Sequence, residues 1–295
     1  MHVVIAAEQE HHLPGKLSSF PLQSTRCGDT MPKRGDAMHS VVQRRFKVIA
    51  CRSMYREISF LVSQVKSACD VTFLPLGLHN NPETLRETLR REIATTSPQR
   101  FAYEKGNLET GYDYDAILLG YGLCSRGTEG LSSPRYPIVI PRVHDCIAIL
   151  LGSHRRYEEL INQYRGIYWY SPGWIEHSLE PGKERYTLVY ETYREKYGED
   201  NARYLMQLEE SWQREYHHAF YIRWGFPVDE AYEAFTRECA EFLGWEYRVV
   251  EGDKGLLRDL LEGRWDKERF VVLAPGETLE ASGDACIFRK SVLAQ

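Results

Sequence analysis

The sequence predicts an α/β fold, and three observations lead to that prediction. Apolar runs of four to six residues, bounded by Gly, Pro or polar residues, alternate with segments of helical periodicity. Such alternation is typical of βαβ units, whose strands run parallel. The 295 residues suffice for one large domain or two modest ones with a buried core. We therefore expect mostly parallel, Rossmann-like sheets with helices on both faces, in two lobes with a site at the carboxyl ends of the strands.

The domain organisation follows from where this alternation begins and changes. Residues 1–44 show no sustained period and mix Pro, Ser, Gly and basic residues, so we interpret them as a mobile leader. Residues 45–172 form the predicted N-terminal α/β lobe, which carries the site. Residues 173–295 form a helix-rich C-terminal lobe. Its βαβαβ run is either a second small sheet or an extension of the first.

The elements of the N-terminal lobe are predicted from apolar runs and helix-start signals. The predicted strands are 46–51, 71–75, 116–119, 137–140 and 166–170. Apolar spacing predicts helices at 54–66 and 148–164, and Pro82 opens another helix. Residues 97–111 are polar and irregular, so we interpret them as a loop or an insertion.

The C-terminal lobe is predicted to alternate in the same way. Helices are expected at 184–197, 201–216, 228–243 and 254–262, and strands at 219–224, 246–250 and 269–273. No internal repeat of fixed period is present.

Composition and charge exclude several classes of protein. The net charge is −5, with no basic stripe of the kind that general nucleic-acid binders carry. No apolar run reaches the roughly 18–20 residues of a membrane helix, and the first apolar run is too short for a secretion signal. Seven cysteines, an odd number, without such a signal are typical of a reducing compartment. We expect a cytoplasmic protein that binds a small molecule, not nucleic acid or membrane.

Three cysteines fall where predicted strands end: Cys51, Cys124 and Cys146. Because the carboxyl ends of parallel strands meet at one edge of a sheet, we expect these thiols to share a site. His144 lies two residues before Cys146, and alternate residues of an extended chain share a side. Thiolate and imidazole together favour zinc among cytosolic metals. The sequence therefore predicts a zinc site with Cys51, Cys124, His144 and Cys146 as ligands.

A second interpretation of the cysteines is that they are small buried apolar residues, and we adopt it for Cys69, Cys239 and Cys286. Cys146 differs from these because it opens a predicted helix. The amide groups at the start of that helix would lower the pKa of its thiol.

Residues of other types complete the predicted site. Glu57, one turn into the first helix, and Asp145, next to Cys146, are the candidate catalytic acids. Each has an alternative role, Glu57 as a solvated residue favoured by the helix dipole and Asp145 as a helix cap. The candidate substrate-binding residues are Tyr121, Arg142 and Trp174. The alternative role is packing for the aromatic residues and a surface ion pair for Arg142. Tyr170 is a further candidate wall of the pocket, and His79 is a reserve metal ligand.

Six segments, taken in order, resemble one microbial family. They are IAC at 49–51, LHNNP at 78–82, LGYGLCSRG at 119–127, IPRVHDCIAILLGS at 140–153, SPGW at 171–174 and GRWDKERFVVLAPG at 263–276. The family is a domain of unknown function, DUF1638, and the resemblance runs from residue 46 to residue 276. Because that family is associated with corrinoid-dependent methyl transfer, the resemblance implies a corrinoid cofactor or a corrinoid protein partner.

The pair His144-x-Cys146 with a distant cysteine is also similar to the zinc ligands of cobamide-type thiol methyltransferases related to uroporphyrinogen decarboxylase. Those proteins are TIM barrels whose last cysteine lies downstream. Here Cys51 and Cys124 lie upstream, and the chain is short of eight βα units. The similarity therefore extends to the chemistry alone.

Three functions fit these residues. The first is a zinc-dependent enzyme acting on a small molecule, by methyl transfer involving a thiol or corrinoid system or by hydrolysis. The second is a non-enzymatic small-molecule or corrinoid-binding partner with a structural metal. The third is a metal-free enzyme with Cys124 as nucleophile, His144 as base, and Asp145 or Glu57 orienting the base. We rank them in that order.

Overall fold

The structure, a computed structural model, describes residues 44–102 and 109–292, which lie within one compact unit, Gln43–Gln295. The predicted leader, 1–44, lies outside the described residues except for Arg44. The strands are β1 (Arg45–Cys51), β2 (Ala68–Leu74), β3 (Gln99–Ala102), β4 (Glu109–Tyr112), β5 (Ala116–Gly120), β6 (Ile138–Pro141), β7 (Ile167–Tyr170), β8 (His218–Arg223), β9 (Glu246–Glu251), β10 (Phe270–Leu273), β11 (Glu277–Ala281) and β12 (Phe288–Val292). The helices are α1 (Tyr55–Val62), α2 (Pro82–Thr95), α3 (Cys146–Leu150), α4 (His154–Gln163), α5 (Pro172–His177), α6 (Lys183–Tyr197), α7 (Glu199–Glu209), α8 (Asp229–Leu243) and α9 (Gly255–Glu262).

The largest sheet has five strands in the order β10-β6-β5-β1-β2. Four of these strands run parallel, and only β10, at the edge, is antiparallel to its neighbour β6. The fold is therefore a mixed α/β fold with a mostly parallel main sheet, which confirms the predicted fold class at that level.

The central strands of this sheet are apolar because they are covered on both faces. Every residue of β5 and of β6 is buried, as expected for a parallel sheet. Gly120 ends β5 beside β1, where a Cβ atom would lie 2.6 Å from the Cβ of Ala50. The sequence needs a glycine there because the two strands approach so closely.

A second, three-stranded parallel sheet has the order β7-β8-β9. Its own small core includes Tyr168, Tyr170 and Tyr221, with Trp245 alongside. The strand β7, which the prediction assigned to the N-terminal lobe, thus pairs with strands of the C-terminal half. Conversely, β10 from the C-terminal half joins the main sheet.

Local sequence signals explain the ends of several helices. Asn81 caps α2 by accepting a hydrogen bond from Thr84 N, and Pro82 occupies the first turn. Ser153 and Ser171 cap α4 and α5 in the same way. None of the helices in the described part of the chain combines the length and the apolar character that a membrane crossing requires.

Several predicted elements were wrong. The segment predicted as irregular, 97–111, contains β3 and β4, which pair as antiparallel strands. The single helix predicted at 148–164 is two helices, α3 and α4, separated at Gly152, whose φ is +83°. The sequence reasoning also missed α5 and the C-terminal hairpin of β11 and β12.

Candidate functional site

The candidate site lies where the connections of the main sheet change direction. The strand β1 lies between β2 and β5, so the chain first passes to one side of β1 and later returns to the other. Ligands of open α/β sheets bind at such a point, outside the carboxyl ends of the strands. Cys51 is the last residue of β1, and Tyr121 to Cys124 directly follow β5.

The loops after β5 and β6 are joined by main-chain hydrogen bonds. Leu123 N donates to Val143 O at 3.0 Å, and Cys124 N donates to His144 O at 2.7 Å. Gly122 permits this contact, because a Cβ there would lie 2.6 Å from Val143 O. The two loops thus hold Cys124 near Cys146.

Three consecutive residues of the first loop, Cys124, Ser125 and Arg126, have left-handed backbone conformations, with φ values of 45°, 54° and 65°. Non-glycine residues adopt this conformation at a cost of about 1–2 kcal/mol each. The turn persists because its surroundings hold it: Arg86 Nη2 donates to Arg126 O at 2.9 Å, and Arg126 pairs with Glu129 at 2.9 Å. Backbone strain that is held in this way is concentrated at functional sites.

The three predicted thiol ligands act on one another electrostatically. Cys51 is buried, and Cys124 and Cys146 are half-buried. Burial, and then the negative charge of an ionised Cys51, raise the pKa of both Cys124 and Cys146. The three thiols therefore lie within electrostatic range of one another.

The expected reactivity of Cys146 was wrong. The amides at the start of a helix were predicted to lower the pKa of its thiol, but burial raises that pKa well above its usual range. The helix that begins there, α3, has only five residues, and Asp145 and Cys51 add further negative charge. Without a bound cation the thiol stays protonated at neutral pH.

Two hydroxyl groups adjoin the sulfur atoms. Ser53, fully buried, lies beside Cys51 and Cys146 and lowers the pKa of each in part. Tyr121 is 3% exposed, and charges on Cys51, Cys124 and Cys146 all raise its pKa. Sequence reasoning missed Ser53, although its position two residues after a strand-end cysteine could have indicated it.

The contacts of the His144 side chain are with another histidine and with acidic residues. Its exposed ring packs edge-to-face on His154 with centroids 4.7 Å apart, and its charged neighbours are His154, Asp145 and Glu158. His144, His154 and Glu158, together with Leu123 and Arg126, line a cleft of about 640 Å³.

Glu57 is not the solvated residue of the alternative interpretation. Its side chain is completely buried, and neither carboxyl oxygen has a hydrogen-bond partner. Burial raises its pKa to about 8, and the nearby carboxylates of Glu176 and Asp229 raise it further. Glu57 thus belongs to an acidic group between α1, α5 and α8.

Asp145 and Arg142 have structural partners. Asp145 Oδ1 accepts a hydrogen bond from Ala148 N at 3.1 Å, which is the predicted alternative role as a helix cap. Arg142 donates to main-chain oxygens near the C-terminal hairpin, from Nε to Lys267 O at 3.0 Å and from Nη1 to Cys286 O at 2.8 Å. These contacts support a role for Arg142 in packing rather than in binding substrate.

The predicted aromatic residues divide between the site and the core. Gly173, next to Trp174, contacts the main chain of Ser53, so the start of α5 lies beside the thiols. The Trp174 ring is 5.9 Å from that of His79, and its buried Nε1 has no partner. Tyr170 instead is fully buried in the second sheet, where its hydroxyl donates to Pro181 O.

Two further findings concern the cysteines. Within residues 44–102 and 109–292, no group of three or more His, Cys, Asp or Glu side chains is arranged to hold a metal ion. Of the cysteines expected to be buried, Cys239 is buried, Cys69 is half-buried, and Cys286 is exposed.

Comparison with known proteins gave one match. No curated protein and no solved structure matched the chain. One family model, described as a protein of unknown function (DUF1638), matches residues 73–261, which is more than half of the chain. The match includes Cys124 and Cys146 and begins after Cys51, so it is shorter than the resemblance in the sequence. The chain belongs to the DUF1638 family.

Proposed function

We propose that the protein is a zinc-dependent enzyme that acts on a small molecule, with Cys51, Cys124 and Cys146 as the metal ligands. The observation that carries this proposal is the convergence of three thiols from different loops at the point where the strand order of the main sheet reverses. We interpret that strand order as a Rossmann-like arrangement, in which ligands bind at this point.

Electrostatics favours a cation at these sulfur atoms. Burial, and after it the charge of an ionised Cys51, raise the pKa of Cys124 and Cys146, so thiolates at this site would be poorly solvated and would repel one another. A divalent cation would remove that repulsion, and binding would release the thiol protons to solvent. Thiolate is a soft ligand, which selects zinc over magnesium or calcium.

Metal binding requires the three sulfur atoms to rearrange, because the described side chains are not arranged to hold a metal ion. Tetrahedral zinc with Zn–S bonds of about 2.3 Å places sulfur atoms roughly 3.8 Å apart. A cysteine sulfur is positioned by one torsion angle, and rotation about that angle in each cysteine is the movement that the proposal requires.

The chemistry that such a centre supplies is activation of a fourth ligand. Three protein ligands leave one position open, and zinc lowers the pKa of a water or thiol bound there, which makes it nucleophilic at neutral pH. Methyl transfer to or from a thiol, or hydrolysis, uses such a nucleophile. The corrinoid cofactor and the corrinoid protein partner are implied by the family resemblance alone and stay predictions.

The metal-free alternative has less support. The left-handed conformation of Cys124 is compatible with an exposed nucleophile on a strained turn. However, the proposed base, His144, packs on His154, and the pKa of Cys124 is raised. A protonated thiol without a base beside it is a poor nucleophile.

Metal analysis of matched variants tests the proposal. The purified protein, washed with chelator to remove adventitious ions, is expected to hold one zinc ion per chain by mass spectrometry. Cys124→Ala and Cys146→Ala are expected to lose it, whereas the control Cys69→Ala, which changes a half-buried cysteine of β2, keeps it. X-ray absorption at the zinc edge is expected to report three sulfur ligands. Zinc content that is absent, or equal in all four proteins, contradicts the proposal.

A further inference from the structure

The carboxyl group of Glu57 has no hydrogen-bond donor within the described part of the chain. Its side chain is fully buried, and both of its oxygen atoms are without a partner. Buried polar groups are almost always paired, so each exception needs an explanation. The proposed zinc site does not use this group. A fully buried carboxyl group without a donor indicates a ligand that supplies one.

The helix α5 brings a second carboxyl group to this region, and that group has donors of its own. Arg56, the residue before Glu57, hydrogen-bonds Glu176 Oε1. Tyr232 Oη of α8 donates to the same oxygen at 2.6 Å. The guanidinium group closest in sequence to Glu57 is therefore already committed to Glu176.

The segment after β8 brings a third carboxyl group, that of the buried Asp229. Phe60 shares a face of α1 with Glu57, because residues three apart in a helix are neighbours. The Phe60 ring packs on that of Phe226 with centroids 5.6 Å apart, and Phe226 N donates to Asp229 Oδ2 at 2.7 Å. Tyr221 Oη donates to Asp229 Oδ1 at 2.6 Å. Of these three carboxyl groups, Glu57 alone lacks a donor.

A cleft at the carboxyl end of β8 reaches the same segment. It has a volume of about 540 Å³, and its lining includes Arg223, Phe226, Asp229, Glu230 and Glu233. The strand β8 is the middle strand of the second parallel sheet, and ligands of such sheets bind outside the carboxyl ends of the strands. Arg223 bonds both oxygens of Glu233, at 2.6 and 2.7 Å, so its charge is already paired. The other charged groups of the lining are acidic, so the cleft attracts cations.

We propose that this cleft admits a small organic ammonium ion, whose N–H groups bind the Glu57 carboxylate while its carbon atoms lie against the rings of Phe60 and Phe226. The inference goes beyond the proposed function and does not depend on zinc. When the cation binds, the O–H bond of the Glu57 carboxyl group breaks, its electron pair stays on oxygen, and the proton goes to solvent. The ammonium ion keeps its protons, and nothing is oxidised or reduced. Because Glu57 is fully buried, Phe226 turns aside to admit the ligand.

The groups around Glu57 favour an ammonium ion over an anion or a neutral molecule. Glu176 and Asp229 would repel an anion. A neutral donor would gain an ordinary hydrogen bond, whereas an ammonium ion forms charge-assisted ones and is attracted by the neighbouring carboxylates as well. The faces of aromatic rings also attract cations. Lys254 Nζ lies 4.8 Å from the centroid of the Phe60 ring, so this ring already binds a cation.

Titration with a matched pair of probes tests this site. The full-length protein, in EDTA and at constant ionic strength, is titrated with ethylammonium chloride and with ethanol, which has as many heavy atoms and no charge. Calorimetry and saturation-transfer NMR are expected to show saturable binding of ethylammonium. The expected dissociation constant is about 1 mM, which three heavy atoms can supply. No binding of ethanol is expected over the same range of concentration.

Two variants and a proton count assign the binding to Glu57. Glu57→Gln keeps the shape of the side chain and is expected to bind ethylammonium roughly 10- to 100-fold more weakly, because charge-assisted hydrogen bonds are lost. The control Glu87→Gln, which changes an exposed carboxyl group of α2, is expected to keep the wild-type affinity. Calorimetry at pH 7 in two buffers of different ionisation enthalpy is expected to report close to one proton released by the wild type and none by Glu57→Gln. The reason is that burial, and then the neighbouring carboxylates, raise the pKa of Glu57 to about 8 in the free protein.

Four results would overturn the inference. Absence of saturable ethylammonium binding removes the site, and equal binding of ethanol removes the recognition of charge. Equal affinity in wild type and Glu57→Gln, or binding to wild type without proton release, removes the role of Glu57. The variant is expected to fold, because the carboxyl group that it replaces makes no hydrogen bond within the described residues, and the probe pair and the proton count need the wild type alone. None of these results depends on zinc content, so the proposed function is tested separately.

Discussion

Glu57 illustrates at the residue scale how burial changes a carboxyl group. The side chain is fully buried without a hydrogen-bond partner, and its pKa is about 8 instead of 4.5. It is therefore mostly protonated at pH 7. Its sequence position predicted neither property, because a glutamate in a first helical turn is usually solvated. Glu57 is buried because α5 and α8 pack against α1. These helices are distant from α1 in the sequence, so no local pattern around Glu57 indicates that packing.

The raised pKa of Glu57 predicts how stability depends on pH. Below pH 4.5 the Glu57 carboxyl is protonated in both the folded and the unfolded chain, so it does not change the free energy of unfolding there. Between pH 4.5 and about 8 only the unfolded chain loses the proton, so stability falls by about 1.4 kcal/mol per pH unit from this group. Above pH 8 the loss is constant.

Glu57→Gln removes this titration while keeping the shape of the side chain. Urea unfolding at pH 6, 7 and 8 is expected to show a variant more stable than wild type at pH 7 by about 3 kcal/mol, with the difference increasing with pH. Glu176→Gln, which changes a half-buried carboxylate nearby that bonds Arg56 and Tyr232, serves as the control and is expected to destabilise. A pH-independent difference between Glu57→Gln and wild type contradicts the raised pKa.

The structural role and the predicted substrate-binding role of Arg142 can be distinguished by substitution. Its guanidinium donates to Lys267 O, Cys286 O and Phe288 O, which ties the loop after β6 to the C-terminal hairpin. Arg142→Met is expected to lower the free energy of unfolding by about 1–3 kcal/mol, because three main-chain carbonyl groups lose a charged donor. Zinc content is expected to be unchanged. Unchanged stability would contradict this structural role of Arg142.

The cysteines and His144 show how far sequence reasoning reached the site. Cys51, Cys124 and Cys146 were identified because each follows an apolar run, and the position of strand ends is a strong sequence signal. The alternation rule that predicted His144 beside Cys146 holds only within a strand. The strand β6 ends at Pro141, so the side chains of residues 144 and 146 need not share a side.

At the element scale, the strained turn at Cys124, Ser125 and Arg126 is the feature with the clearest energetic consequence. Ser125 is exposed, so a substitution there changes little besides the backbone preference. Ser125→Gly is expected to stabilise the protein by about 0.5–1 kcal/mol, because glycine adopts φ of 54° without steric cost but loses more entropy on folding.

The control Ser125→Ala keeps the Cβ atom and is expected to give no gain. Chemical denaturation of the three proteins measures the difference. A destabilised Ser125→Gly protein would indicate that the serine side chain, rather than the backbone, maintains the turn.

The elements that the sequence predicted are those with a strong periodic signal. Buried strands β5 and β6 are continuous apolar runs, and α8 has apolar residues at helical spacing. The hairpin β11–β12 was missed because its strands, ETLEA and FRKSV, are largely polar. Two of its apolar residues, Leu279 and Phe288, are buried because the hairpin packs on the main core. That contact depends on distant residues and leaves no local pattern.

At the scale of the whole molecule, the C-terminal hairpin contacts the segment that follows the strained turn of the candidate site. Ala281 N in β11 donates to Glu129 Oε1, and Glu129 pairs with Arg126 in the strained turn. Leu279 also bonds the main chain of Leu131, so the hairpin covers the segment after the turn. The alternation of strands and helices could be predicted from the sequence, but these contacts could not, because they join segments as far as 152 residues apart.

A metal at the three thiols would add a further connection and would make stability depend on zinc concentration. The ligands lie at the end of β1, in the loop after β5 and at the start of α3, and these segments separate when the chain unfolds. Zinc that binds only the folded chain at a thousand times its dissociation constant is expected to stabilise it by about 4 kcal/mol. Thermal unfolding is therefore expected at a higher temperature with buffered zinc than with a chelator, by several degrees for a domain of this size.

Cys124→Ala distinguishes this linkage from nonspecific zinc binding. The variant is expected to melt at the same temperature with zinc and with chelator, because two thiols bind zinc much more weakly than three. Cys239→Ala, a buried cysteine in the core of the second sheet, is expected to melt earlier than wild type but to keep the full zinc-dependent shift. A zinc-dependent shift of equal size in Cys124→Ala would place the responsible metal elsewhere in the chain, and His144 with His154 and Glu158 would then be the first group to substitute.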